Sequence, residues 1–270
     1  MKGSERMTAY KLKKILEHIA SYSNPYRKMS PFFVEYQAKE CSTVNAKYNL
    51  QKKKIIIYNF SRPVTNILCS AIHELAHHVC VEVANNTTHD IEFYRTFKEL
   101  LSAAVEIGYL DYEKCRKIDD TNTVKMMEKK AGRVTAYYQE KNDPNKDYGT
   151  IQIIGGYSVR EYLTGEKFHY SPMERIWEKD LPLTECVKYK KEIQKLDPQT
   201  NVIISAVNDL SIQVYYTFTV KGQTYQHKEN LSKHGYRYKE GLWQKKFEAA
   251  NFQEEYLFLK SLRGIEYKIS

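Results

Sequence analysis

Residues 64–94 read VTNILCSAIHELAHHVCVEVANNTTHDIEFY, and the rest of the chain is best read outward from this stretch. Ile67, Leu68, Ala71, Ile72, Leu75, Ala76 and Val79 recur at the spacing of one helix face, which predicts a helix over about 64–83, opened by Pro63 and Thr65. His73 and His77 stand four residues apart, so on that helix both imidazoles lie on one side and reach one metal ion. Glu74 sits beside them, placed to take a proton from water rather than to bind the metal. Two imidazoles are not a complete site, because catalytic zinc takes three protein ligands and keeps one position open. His89 is the candidate third ligand, with eleven residues between it and His77. It stands at the start of a second predicted helix, from about Thr88 to Gly108. That helix has Phe93, Phe97, Leu100, Leu101 and Ala104 as its buried stripe, Thr87 with Asp90 as a capping pair, and Gly108 as its stop. Phe93, one turn after His89, can pack behind it.

Neighbouring residues carry two readings each. His78 points about 100° from His77 and suits packing or the helix surface. Cys69 and Cys80 lie near the ligand face and are thiol ligands or small buried hydrophobes. Asp90 either orients a ligand ring or favours the helix N-terminus by its charge. His169, His227 and His234 have no partner at ligand spacing.

Before the motif, Lys47–Asn59 predicts a hairpin with a basic tip at Lys52, Lys53 and Lys54 and a buried strand at Ile55-Ile56-Ile57. The strand at 55–59 is a candidate edge for an extended substrate, and the basic tip a contact for acidic or DNA-bound substrates. Residues 1–22 predict an amphipathic helix with Tyr10, Leu12, Ile15, Leu16, Ile19 and Ala20 on one face; they are too polar for a secretory signal. After the motif, helix is predicted over 112–138. A turn or linker follows at Asn142-Asp143-Pro144-Asn145, then strands at 150–154, 157–162, 202–206 and 211–220. The fold class is α+β, divided as 1–140, 141–196 and 197–270.

The net charge of +9 is uneven: residues 1–60 carry twelve Lys/Arg against four Asp/Glu, and residues 221–270 carry ten against six. The basic ends make nucleic acid a candidate partner; a merely solvated surface is the plain alternative. In the C-terminal part, Tyr236, Tyr238 and Trp243 lie among Arg237, Lys239, Lys245 and Lys246, where they either stack bases or fill the small core of a hairpin. No run approaches the roughly 18 apolar residues of a membrane helix. Five cysteines without a CxxC pair fit a reducing cytoplasm better than a disulfide framework.

The segment His73–Tyr94, HELAHH followed by THDIEFY, resembles the SprT-like and WLM zinc metallopeptidases, whose pattern is HExxH, a gap, then His-Gly/Asp-x-x-Phe-aromatic. The resemblance covers roughly residues 40–110. It implies a minimal zincin-like core: a short sheet, the HExxH helix and the third-ligand helix. It also implies zinc on His73, His77 and His89, Glu74 as general base, and hydrolysis of peptide bonds in proteins, including proteins attached to nucleic acid. The chain departs from many such proteins in lacking a downstream four-cysteine zinc module, since only Cys115 and Cys186 follow. The alternative is a nucleic-acid-binding or anti-restriction accessory protein in which zinc only staples the fold. The stretch Leu231–Phe247 is loosely similar to small modules appended to nucleic-acid enzymes.

Overall fold

The computed structural model of the 270-residue chain describes residues 5–85, 88–119, 122–142, 147–172, 175–206, 210–212 and 214–270. It is a mixed α+β protein with several small sheets. The chain opens with β1 (Glu5–Arg6) and α1 (Ala9–Ser23). Thr8 caps α1 by accepting a hydrogen bond from the Lys11 N–H, and Leu12, Ile15, Leu16, Ile19 and Ala20 are buried along one side. Next come β2 (Phe33–Tyr36), β3 (Ala46–Asn49) and β4 (Lys54–Ile57). The expected hairpin is the antiparallel pair β3–β4, and Ile55 and Ile57 are fully buried.

β4 is not an edge. It lies between β3 and β2, the latter parallel to it, so both of its hydrogen-bonding edges are occupied and no substrate can pair there. Among the described residues β3 pairs with β4 alone, and on its other side its Tyr48 N–H bonds to Glu74 of the motif helix. The basic tip is also largely engaged: Lys53 pairs with Glu82 at 2.9 Å and Lys54 with Glu35 at 2.6 Å.

The motif helix α2 (Val64–Ala84) buries the apolar stripe read from the sequence and packs on α1, β3 and β4. By length and composition alone it could cross a membrane, but here most of its apolar residues lie in the interior of the fold. α3 (Ile91–Ile107) packs along both α1 and α2. Its cap is Asp90, whose carboxylate accepts from the Phe93 N–H at 2.9 Å; the expected partner Thr87 lies outside the described residues. Gly108, at φ +98°, ends the helix in the left-handed region.

The continuous helix expected over 112–138 is instead two short ones, α4 (Tyr112–Lys117) and α5 (Thr123–Ala131). Asp111 caps the first, and Asp119 accepts from the Val124 and Lys125 N–H groups at the start of the second. Gly132 adopts φ +81° and ψ 166°, which no helix continues, and residues 133–139 run on without regular structure.

The middle of the chain is a four-stranded antiparallel sheet in the order β6-β7-β5-β8. Its elements are β5 (Tyr148–Ile154), α6 (Arg160–Gly165), β6 (His169–Ser171), β7 (Ile176–Pro182), α7 (Leu183–Leu196) and β8 (Asn201–Ala206). The strand expected at 157–162 is a turn entering α6. Gly155 and Gly156 (φ +85° and +36°) end β5, and a Cβ on Gly156 would meet Ile153, Trp177 and Leu163 side chains at 3.0–3.2 Å. The division expected at 197 falls inside this unit, because β8 pairs with β5 along its length. The expected linker at 142–145 lies almost wholly outside the described residues.

The last part holds β9 (Leu210–Ser211), which pairs with β1, and a sheet in the order β11-β12-β10-β13. Its strands are β10 (Tyr215–Gly222), β11 (Arg237–Lys239), β12 (Leu242–Glu248) and β13 (Ile265–Ile269), with helices α8 (Lys228–Lys233) and α9 (Phe252–Ser261). Buried residues of this sheet and of the first 134 residues form one continuous core, while the middle sheet has its own. The C-terminal sheet is therefore a wall of the first unit, with the middle sheet set between them in sequence.

Candidate metal centre

Three histidine rings converge where α2 meets the start of α3. His73 and His77, one turn apart on α2, face the chain that enters α3, and His89 reaches back from it one residue before the Asp90 cap. The Nε2 atom of His89 lies 3.0 Å from His73 Nε2 and 3.1 Å from His77 Nε2. Among the described residues these three form the group whose ligand atoms all fall within 4.8 Å of one another.

A shared proton can bridge one such pair of nitrogens. Three converging nitrogens leave a pair of lone pairs, or of N–H groups, face to face unless a cation lies between them. Metal–nitrogen bonds of about 2.0–2.1 Å at tetrahedral angles set ligand nitrogens about 3.3 Å apart, close to the spacing here. Three imidazoles are a donor set that zinc, copper, iron and nickel accept.

The electrostatics suit ligands. Burial, then the neighbouring His77 and His89, lower the His73 pKa to about 3. Burial and His89 lower that of His77 to about 4. Burial and Lys130 lower that of His89. All three rings are held neutral near pH 7, the state that offers a lone pair to a metal. Beside them Glu74 is buried, and burial raises its pKa to about 7, opposed by a hydrogen bond from the backbone N–H of Tyr48. A carboxyl poised there is matched to proton transfer at neutral pH. His73, Glu74 and His89 line a cleft of about 320 Å³, walled by residues 43–46 at the entry to β3 and floored by Asn66, Cys69 and Cys115.

Phe93 holds the three rings in place. Its centroid lies 4.9 Å from that of His73, 4.4 Å from His77 and 4.6 Å from His89, and Phe97 packs behind against His73 at 5.5 Å. The sequence placed Phe93 behind His89 alone; the structure sets it under all three. Two further supports were not legible. Lys130 of α5 donates to the His89 carbonyl at 3.3 Å while lying 5.2 Å over the Tyr94 ring. Tyr48 of β3 clamps α2 on both sides, with its backbone N–H on Glu74 and its hydroxyl donating to His78 Nδ1 at 2.8 Å.

His78 is fully buried and donates through Nε2 to the Ser30 carbonyl at 3.1 Å, so it is a packing histidine and not a ligand. Cys69 and Cys80 are buried thiols. Hydrogen bonding to Cys115 and burial push Cys69 upward, and burial does the same to Cys80, which keeps both from being thiolates. Asp90 acts as the α3 cap. Elsewhere, His169 stacks on Tyr10, His234 stacks on Phe258, and His227 donates to the Arg263 carbonyl. Comparison of the chain with protein-family models, with curated proteins and with solved structures finds no match.

Proposed function

We propose that the chain is a zinc-dependent metallopeptidase of the SprT-like or WLM type, built on a minimal zincin-like core of β2–β4, α2 and α3. The observation that carries this reading is the convergence of three neutral Nε2 atoms beside a buried glutamate at a cleft. A zinc ion bound there supplies Lewis acidity and acidifies water at the site. Glu74 takes the proton from the attacking water and returns it to the leaving amine, a cycle suited to a carboxyl whose pKa is near 7. Phe93 and Lys130 fix the histidine rings and the His89 backbone. The outer edge of β3, apart from the Tyr48 N–H that Glu74 holds, is where an extended peptide adds by main-chain hydrogen bonds. Proteins associated with nucleic acid are the substrate class that the basic chain ends favour.

Three ligands at an open cleft support catalysis over a purely structural ion, since structural zinc is closed by a fourth protein ligand. The test uses purified full-length chain. Glu74→Gln should keep about one metal ion per chain and lose about 10²–10⁴-fold in cleavage of an unfolded protein substrate. His89→Ala should lose both metal and activity. Turnover undiminished in Glu74→Gln, or wild-type protein that binds no metal, would end the assignment.

A further inference from the structure

The C-terminal sheet displays aromatic rings at its surface as well as in its core. Tyr225 is 82% exposed and Tyr238 62% exposed, while Trp243 is half-buried. Tyr238 and Trp243 are cross-strand partners on β11 and β12, with ring centroids 5.4 Å apart at 58°. Together with Lys228, Ser232 and Lys233 of α8 they line an open groove of about 700 Å³, where Glu229 is the acid among the described lining residues.

The surroundings are cationic. Residues 221–270 carry ten Lys/Arg against six Asp/Glu. Three of those acids pair with three of the lysines, Glu255 with Lys245, Glu266 with Lys221 and Glu240 with Lys239, which leaves seven Lys/Arg against three Glu. Lys228 Nζ lies 4.8 Å over the Tyr225 ring. The structure also divides the aromatic set that the sequence singled out. Tyr236 is 2% exposed and bonded to Glu255, so it belongs to the core, and Tyr225 with Lys228 joins the surface in its place.

We propose that this groove binds single-stranded nucleic acid, with bases stacked on Tyr225, Tyr238 and Trp243 and phosphates on Lys228 and Lys233. Unpaired bases offer faces to such rings, whereas a duplex keeps its base faces stacked inside. Aromatic grooves also take proline-rich peptides, but the surplus of lysine and arginine selects a polyanion.

The experiment titrates a fluorescein-labelled oligothymidylate of about a dozen nucleotides with full-length chain and follows anisotropy across a salt series. The expected result is salt-sensitive binding with quenching of tryptophan fluorescence. Tyr225→Ala and Trp243→Ala should each weaken it by about tenfold. Lys228→Gln with Lys233→Gln should reduce the slope of log affinity against log salt by about 1.4. Tyr225 and the two lysines are exposed, so these variants should keep the wild-type thermal melt and report on binding alone. The proposal is overturned by absence of binding, by undiminished binding in Tyr225→Ala and the double lysine variant, by a duplex held as tightly as the single strand, or by a proline-rich peptide taking the groove in its place. None of these readouts involves peptide cleavage, so they leave the histidine centre to its own test.

Discussion

Phe93 decides how well the centre is formed, because one fully buried ring touches all three histidines. Removing it leaves a cavity under all three rings, with Phe97 still against His73. Phe93→Ala should cost about 3–5 kcal/mol in chemical denaturation. Phe93→Leu retains much of the volume, should fold, and should still weaken metal binding by about tenfold or more, since groups that orient ligand rings tune affinity to that extent. A competition titration with a chromogenic chelator measures this; wild-type affinity in Phe93→Leu would refute the positioning role. The residues of the centre differ in how readable they were. His73, Glu74 and His77 were legible because helix geometry converts a four-residue spacing into a shared face. His89 was legible because a short connection had to bring it back. Tyr48 and Lys130 were not. Tyr48 reaches Glu74 through a backbone N–H, which every non-proline residue has, and Lys130 reaches the His89 carbonyl from a helix 41 positions away. Side-chain patterns encode neither.

Among the elements, α3 ends sharply. Gly108 holds φ +98°, and a Cβ there would stand 2.7 Å and 2.8 Å from two ring carbons of Tyr138. The segment after α5 returns over this point, where Gln139 N–H donates to the Glu106 carbonyl at 3.2 Å. Gly108→Ala should therefore cost more than the roughly 1 kcal/mol of a left-handed alanine, because the Tyr138 ring must move as well. The double variant Gly108→Ala with Tyr138→Ala should be less destabilised than the sum of the singles, measured by urea unfolding; strict additivity would show that the ring is not the obstacle. Legibility at this scale followed local rules. α1, α2 and α3 announced themselves by apolar spacing longer than two turns, and β3–β4 by a β-branched run with a polar tip. The region 112–138 was read as one helix because its breaks depend on the conformation of Gly132 and on capping by Asp119, not on composition. The run at 157–162 alternates like a strand, but paired positive-φ glycines before it had already turned the chain.

For the molecule as a whole, the joint between the first unit and the C-terminal sheet is a shared apolar core with a buried phenol bonded across it. Tyr216 accepts from the Phe60 N–H at 2.9 Å and donates to Glu40 at 2.6 Å, which joins β10 to the loops on either side of β3 and β4. The sequence could not show this pairing, because Tyr216 and Phe60 stand 156 positions apart and a tyrosine in an alternating strand reads only as core. Tyr216→Phe keeps the ring but leaves a buried N–H without its acceptor, so stability should fall by about 1–3 kcal/mol near neutral pH. The alkaline limb supplies a second, independent check. Burial, then the hydrogen bond to Glu40, raise the Tyr216 pKa above the ordinary phenol value of 10.0. The folded state therefore keeps a proton that the unfolded chain releases, and stability is complete below about pH 10 and declines as pH rises beyond it. Tyr236, raised by burial and by Glu255, adds to the same decline, which leaves the difference between proteins as the informative quantity. Unfolding free energy followed from neutral to strongly alkaline pH should drop more steeply in wild type than in Tyr216→Phe, so that the two curves approach one another. Curves that stay parallel would mean that the Tyr216 phenol ionises as freely in the fold as in the unfolded chain.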